Sequence, residues 1–203
     1  MNNPIPFVEF PKIARLSREC IITEKLDGTN ASITITEDGR FLTGSRTRWI
    51  TPEDDNYGFS KWAHAHKDEL LKLGVGTHFG EWWGGGIQRG YGLAKDDKRF
   101  WLFNVSRWHL AGAEPKKFAT ADPRVFKTTN ELPACCGLVP ELFRGMFSTV
   151  DCQNVLWCLQ TGGSLAAPGF KKPEGIVIYH AAGGYLFKKT IEKDEVPKSR
   201  VAA

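Results

Sequence analysis

The chain has 203 residues, 41% of them hydrophobic, and a mass of 22.7 kDa, enough for one sizeable core. No apolar run reaches the ~18 to 20 residues of a membrane helix, and the start MNNPIPFVEFPK shows no basic leader before an apolar segment, so neither a membrane contact nor a secretory signal is expected. A net charge of +4 is compatible with a polyanionic partner without demonstrating one, and the five cysteines, with Cys135 and Cys136 adjacent, fit a reduced, cytoplasmic protein.

Taken in chain order, IITEKLDGTN (21–30) is a β-forming run that ends on Lys25 and turns at Gly28. On its own, that pattern is a strand with a solvent-facing lysine before a turn. ASITITEDGRFLTG follows, with Ile33 and Ile35 alternating with Thr34 and Thr36; it predicts two strands joined across Asp38-Gly39. Phe59, Trp62, Ala63, Leu70 and Leu73 keep helical spacing up to a stop at Gly74. His64 and His66 lie two apart, do not share a helical face, and make no zinc site. GGGIQRGYG, from Gly84, is glycine-rich but matches neither a P-loop nor a dinucleotide fingerprint; alone it is as well read as a flexible surface loop. FWLFNV (100–105) suits a buried strand. Cys152, Val155, Leu156 and Leu159 mark a helix ended by Gly162-Gly163. EGIVIYH and YLFKK, flanking AAGG, predict a second hairpin over 174–189. Strands outnumber helices and hairpins dominate, which gives an α+β fold on antiparallel sheets, without repeat or linker to divide 1–203.

A lysine amine attacks only when unprotonated. From a reference pKa of about 10.4, work near neutrality needs a downward shift of roughly 3 units, about 4 kcal/mol. Burial and nearby cations supply it, and Lys188 and Lys189 are candidates if the fold brings them to Lys25. The glycine after Asp27 is expected to let a ligand approach the turn. Such an amine can attack the α-phosphorus of a nucleoside triphosphate and form a phosphoramidate.

Lys25-Leu26-Asp27-Gly28 resembles the Lys-x-x-Gly nucleophile motif of the covalent nucleotidyltransferases, the superfamily of DNA ligases, RNA ligases and capping enzymes. The tetrad alone is weak. Its companions follow in the superfamily's order: Ser45-Arg46-Thr47, Phe79-Gly80-Glu81, Trp101 to Val105, Glu174 to Val177, and Phe187-Lys188-Lys189. Glu24-Lys25 with Gly28-Thr29-Asn30, and Phe79-Gly80-Glu81 with Gly86-Ile87-Gln88, are most similar to the phage RNA ligases that repair nicks in duplex RNA.

The resemblance implies a nucleotide cleft between antiparallel sheets flanked by helices, the adenylyltransferase domain of ligases, with ATP-grasp-like character. It implies ATP as substrate, Mg²⁺ or Mn²⁺, and RNA ends or a nicked duplex as partner. Lys25 would carry AMP; Glu24 and Asn30 would line the adenosine and ribose pocket, and Arg46 would hold a phosphate. Glu81 would hold a ribose hydroxyl, Phe103 would stack on adenine, Glu174 would organise the metal, and Lys188 and Lys189 would neutralise phosphate.

The chain departs from the pattern twice. Lys188 and Lys189 are adjacent where the family has Lys-x-Lys, with Thr190 in the second place, which favours Lys188; and Asn104 replaces an acidic residue. Little sequence follows Lys189, so a single domain without a C-terminal accessory domain is expected, a partner protein being the candidate substitute. DNA or RNA–DNA hybrid joining, GTP-dependent capping and a non-catalytic nucleic-acid-binding remnant are the alternatives.

Overall fold

A computed structural model describes residues 5–109 and 130–195; the ends of the expected domain, 1–4 and 196–203, lie outside the described residues. The IITEK run belongs to β1 (Glu19–Lys25), which ends on the lysine. The Asp38-Gly39 hairpin forms as expected: β2 (Thr29–Ile35) pairs antiparallel with β3 (Phe41–Gly44), and β4 (Trp49–Ile50) folds back onto β3. The expected helix over 59–73 is broken into α1 (Phe59–Ala65), α2 (Lys67–Leu70) and a final 3₁₀ turn, because His66, at φ −107° and ψ 18°, leaves the helical region. Gly74, at φ 78°, ends the segment as the sequence indicated.

β5 (Gly76–Gly84) and β6 (Lys98–Leu102) complete the centre of one sheet. The strand within FWLFNV stops at Leu102, so Phe103 leaves it. Beyond lie β7 (Trp108–His109), β8 (Asn130–Glu131), β9 (Cys136–Leu138) and β10 (Glu141–Met146). α3 (Thr149–Gly162) begins where the Ser148 hydroxyl accepts from the Asp151 N–H, an N-cap that lengthens the helix beyond its apolar stripe. β11 (Gly175–His180) and β12 (Tyr185–Thr190) form the second expected hairpin.

The strands make a four-stranded antiparallel sheet, ordered β10-β1-β11-β12, and a six-stranded sheet, ordered β4-β3-β2-β5-β6-β9, in which only the β6–β9 pair is parallel; β7 and β8 pair separately. One face of the six-stranded sheet carries Ala31, Ile33, Ile35, Trp82, Phe100 and Leu102 and is covered by Phe59, Ala63, Leu70 and Leu73. One face of the four-stranded sheet carries Cys20, Ile22, Ile176 and Ile178 and is covered by α3 through Cys152, Leu156 and Leu159. A third core, with Ile21, Leu26, Trp83, Tyr91 and Val105, joins the two sheets on their remaining faces. Each sheet thus keeps one face for its helix and turns the other towards its neighbour. Among the described residues no helix is long and apolar enough to cross a membrane.

Candidate functional site

Strand register decides what reaches the space between the sheets, because directly opposed residues project to the same face. In the four-stranded sheet Lys25 opposes Gly175, which opposes Thr190; Thr23 opposes Val177, which opposes Lys188. Lys25 and Lys188 therefore share the inner face. Glu24, Ile176 and Lys189 form the intervening row and point towards α3. In the six-stranded sheet Asn30 opposes Glu81, which opposes Trp101.

Lys25 Nζ donates to Glu174 Oε2 at 2.6 Å, with the lysine side chain 21% exposed and the glutamate 3%. Gly175 makes this meeting possible: at φ 156° it bends the chain ahead of β11, and an added Cβ would stand 2.2 Å from the Lys189 carbonyl. On the facing sheet Glu81 accepts from the Gly28 N–H at 3.0 Å and from Asn30 Nδ2 at 3.1 Å. Gly28 is required for a reason different from ligand approach: β5 fills the place a side chain would take, a Cβ falling 2.4 Å from the Trp82 carbonyl and 2.8 Å from Trp83 Cβ. The lysine turn is thereby pressed onto the strand that bears Glu81.

Burial pushes the Glu81 carboxyl up to about 7 from an ordinary 4.5, against the opposing pull of the Lys25 charge and the Gly28 N–H. The folded protein keeps this proton at pH values where the unfolded chain has released it, so stability declines as pH rises from 4.5 to about 7 and the loss is complete above that range. Glu81→Gln should remove the decline and gain about 3 kcal/mol on the wild type at pH 8 relative to pH 4. Chemical unfolding of both proteins across this range checks it; parallel stability curves would refute the assignment.

The other expected residues divide. Phe103 is 39% exposed just beyond β6, its N–H bonded to the Phe79 carbonyl at 3.0 Å. Arg46 lies in the β3–β4 turn, and it is exposed with no ion pair to another described residue. Lys188 is exposed on the cleft face, whereas Lys189 lies on the opposite face with Nζ 3.4 Å from Asp194 Oδ2. The Glu24 carboxylate is buried and already accepts from Ser164 Oγ at 2.5 Å and from the N–H groups of Leu165 and Ala166 at 2.9 and 3.1 Å. It fastens the loop after α3 to the strand that carries the lysine.

Three residues escaped the sequence reading. Asp27, within the tetrad, receives Arg89 Nε at 2.9 Å on its carboxylate, and its N–H donates to the Tyr91 hydroxyl at 2.8 Å. Arg89 also donates to the Lys172 carbonyl at 3.0 Å, which ties the turn to the segment leading into Glu174. GGGIQRGYG is therefore a clamp on the lysine turn. Its only sequence signal was one arginine and one tyrosine among glycines, with nothing to indicate their partner.

A group of three His, Cys, Asp or Glu side chains able to hold a metal is absent among the described residues. The Glu174 carboxylate beside Lys25 suits a hard divalent ion that takes most of its ligands from substrate phosphates and water.

The family model of RNA ligase matches residues 18–190. No curated protein matches the sequence. Among solved structures the chain is similar to Naegleria gruberi RNA ligase. A glutamate variant of that protein with ATP and Mn has a TM-score of 0.57 at 19% identity over 87% of this chain and 51% of that one. A lysine variant with AMP and Mn has a TM-score of 0.54 at 19% identity over 86% and 50%, and a variant of the same organism's RNA ligase without ligand has 0.55 at 20% over 86% and 50%. The chain thus spans about half the length of these structures, and the likeness is one of fold.

Proposed function

The chain belongs to the RNA ligase family, and from that membership and its cleft we propose that it is an ATP-dependent RNA ligase working through a lysyl-AMP intermediate on Lys25. The observation that carries the reading is the convergence of Lys25 with Glu174 on one sheet and with the Glu81–Asn30 pair on the other, in a cleft edged by exposed Phe103. The Naegleria proteins of the same fold have been solved with ATP or AMP and Mn, which supports the nucleotide and the metal class.

In the first step Lys25 Nζ attacks the α-phosphorus of ATP. An N–P bond forms, the bond to pyrophosphate breaks, and the amine sheds a proton that Glu174 Oε2, at 2.6 Å, is placed to accept. Glu81 receives a ribose hydroxyl, Phe103 stacks on adenine, and Arg46 and Lys188 balance phosphate charge. A divalent ion beside Glu174 would add Lewis-acid polarisation of the phosphate. AMP then passes to the 5′-phosphate of an RNA strand, and a 3′-hydroxyl displaces it to close the phosphodiester at a nick or between ends. Lys189, turned to Asp194, is a second-line cation at most. A partner protein would complete the grip on substrate.

Incubation with α-labelled ATP and Mg²⁺ or Mn²⁺ should leave acid-labile, alkali-stable label on the denatured chain. Absence of label, or label from GTP alone, would overturn the proposal. Phe103→Leu should keep the fold and weaken ATP binding by about 1 kcal/mol, a fivefold change, the scale of a lost aromatic stack. An unchanged ATP dependence of labelling in the folded variant would remove Phe103 from the site.

A further inference from the structure

The open face of the six-stranded sheet carries a second row, one step from the nucleotide row. Trp49 on β4 opposes Gly44, Gly44 opposes Ser32, Ser32 opposes Phe79, and the Phe103 N–H bonds to the Phe79 carbonyl. The row thus runs across four strands, with Phe103 just beyond the last of them, and has aromatic rings at both ends and Gly44 and Ser32 between. Trp49 is 58% exposed and Phe79 62%, unusual for residues this large on a sheet whose other face is fully packed. Gly44 leaves room for the tryptophan to lean inward: a Cβ there would touch its ring at 3.5 Å and strike Ser32 Oγ at 2.6 Å.

What surrounds the row suits a nucleic acid. On one side lies the Asn30–Glu81–Trp101 row, and the β3–β4 turn next to Gly44 and Trp49 carries exposed Arg46, whose charge no described residue neutralises. On the other, Thr34 and Thr77 present hydroxyls bonded to each other at 2.9 Å, and neither this row nor the aromatic one bears a carboxylate. The backbones of Trp49 and Phe79 lie three strand spacings apart, about 14 Å. Resting on the ligase reading, we propose that Trp49 and Phe79 form a stacking platform for unpaired nucleobases of the RNA strand whose end enters the cleft, with Arg46 on its phosphate. Only an unpaired base offers a free face to an exposed ring; the interior bases of a duplex are already stacked on both sides. The substrate that this face selects is therefore a single-stranded RNA end.

Fluorescence anisotropy with a labelled, 5′-phosphorylated single-stranded RNA tests the assignment, alongside the same oligonucleotide made abasic near its 5′ end and a fully paired nicked duplex. Trp49→Ala and Phe79→Ala should each bind the intact strand at least about fivefold more weakly and the abasic strand as the wild type does, with Trp49→Phe recovering most of the loss. Trp157→Ala, an exposed tryptophan on the helix behind the other sheet, should bind normally. Equal wild-type affinity for intact and abasic strands, unchanged binding by both alanine variants, an equal loss in Trp157→Ala, or an equal dependence on Trp49 for the paired nick would each overturn the platform. Labelling of Lys25 is scored separately: label without base-dependent binding leaves the ligase reading standing and removes this one, whereas base-dependent binding without label does the reverse.

Discussion

Lys25→Ala should carry no label after incubation with α-labelled ATP, a loss to the background of the assay and the largest effect expected of any substitution here. In the proposed reaction Nζ is the atom that bonds to phosphorus, and alanine has no group to take its place. The fold should survive, because the lysine is the last, half-buried residue of β1 and its neighbours Leu26 and Glu24 hold the strand by their own burial and hydrogen bonds. Its removal takes from Glu174 the cation at 2.6 Å and from Glu81 a charge that favours ionisation. The variant should therefore show a Glu81 carboxyl displaced further upward, and a decline of stability with pH that extends above pH 7. Label at wild-type yield in the folded variant would move the nucleophile elsewhere.

The residues proposed to do the chemistry were legible in the sequence; much of what positions them was not. Lys25, Glu81 and Glu174 stand in short motifs whose order is itself informative, and the structure brings all three to one cleft. Hairpins were readable because Asp38-Gly39 and the AAGG turn are local signals, set by a few adjacent residues. The Asp27–Arg89 pair joins residues 62 positions apart, and the Glu24–Ser164 bond spans 140; nothing in either local sequence names the distant partner. Glu24 shows the cost of that blindness. Beside the nucleophile it was a natural pocket residue, yet strand alternation turns it to the other face, where loop donors occupy its carboxylate. The same alternation separates Lys188 from Lys189, and here the sequence sufficed, because adjacent residues on a strand must diverge.

Glu174→Gln should slow labelling of Lys25 by at least about 100-fold, the scale of removing one preorganised charge from a reacting centre, while thermal unfolding stays close to that of the wild type. The substitution keeps shape and a hydrogen-bond acceptor for Lys25 but removes the group placed to accept the amine's proton and the carboxylate suited to hold a divalent ion. These two losses respond differently to conditions. If proton acceptance dominates, labelling by the variant should climb steeply between pH 7 and 9, as solvent base takes over from the missing carboxylate, while the wild type changes less. If metal binding dominates, the variant should instead regain rate as Mn²⁺ is raised at fixed pH. A fixed-time labelling series across pH, repeated at several Mn²⁺ concentrations, separates the cases. Labelling within threefold of the wild type under every condition would show that the 2.6 Å pair is only structural, and that activation of Lys25 must come from elsewhere in the cleft.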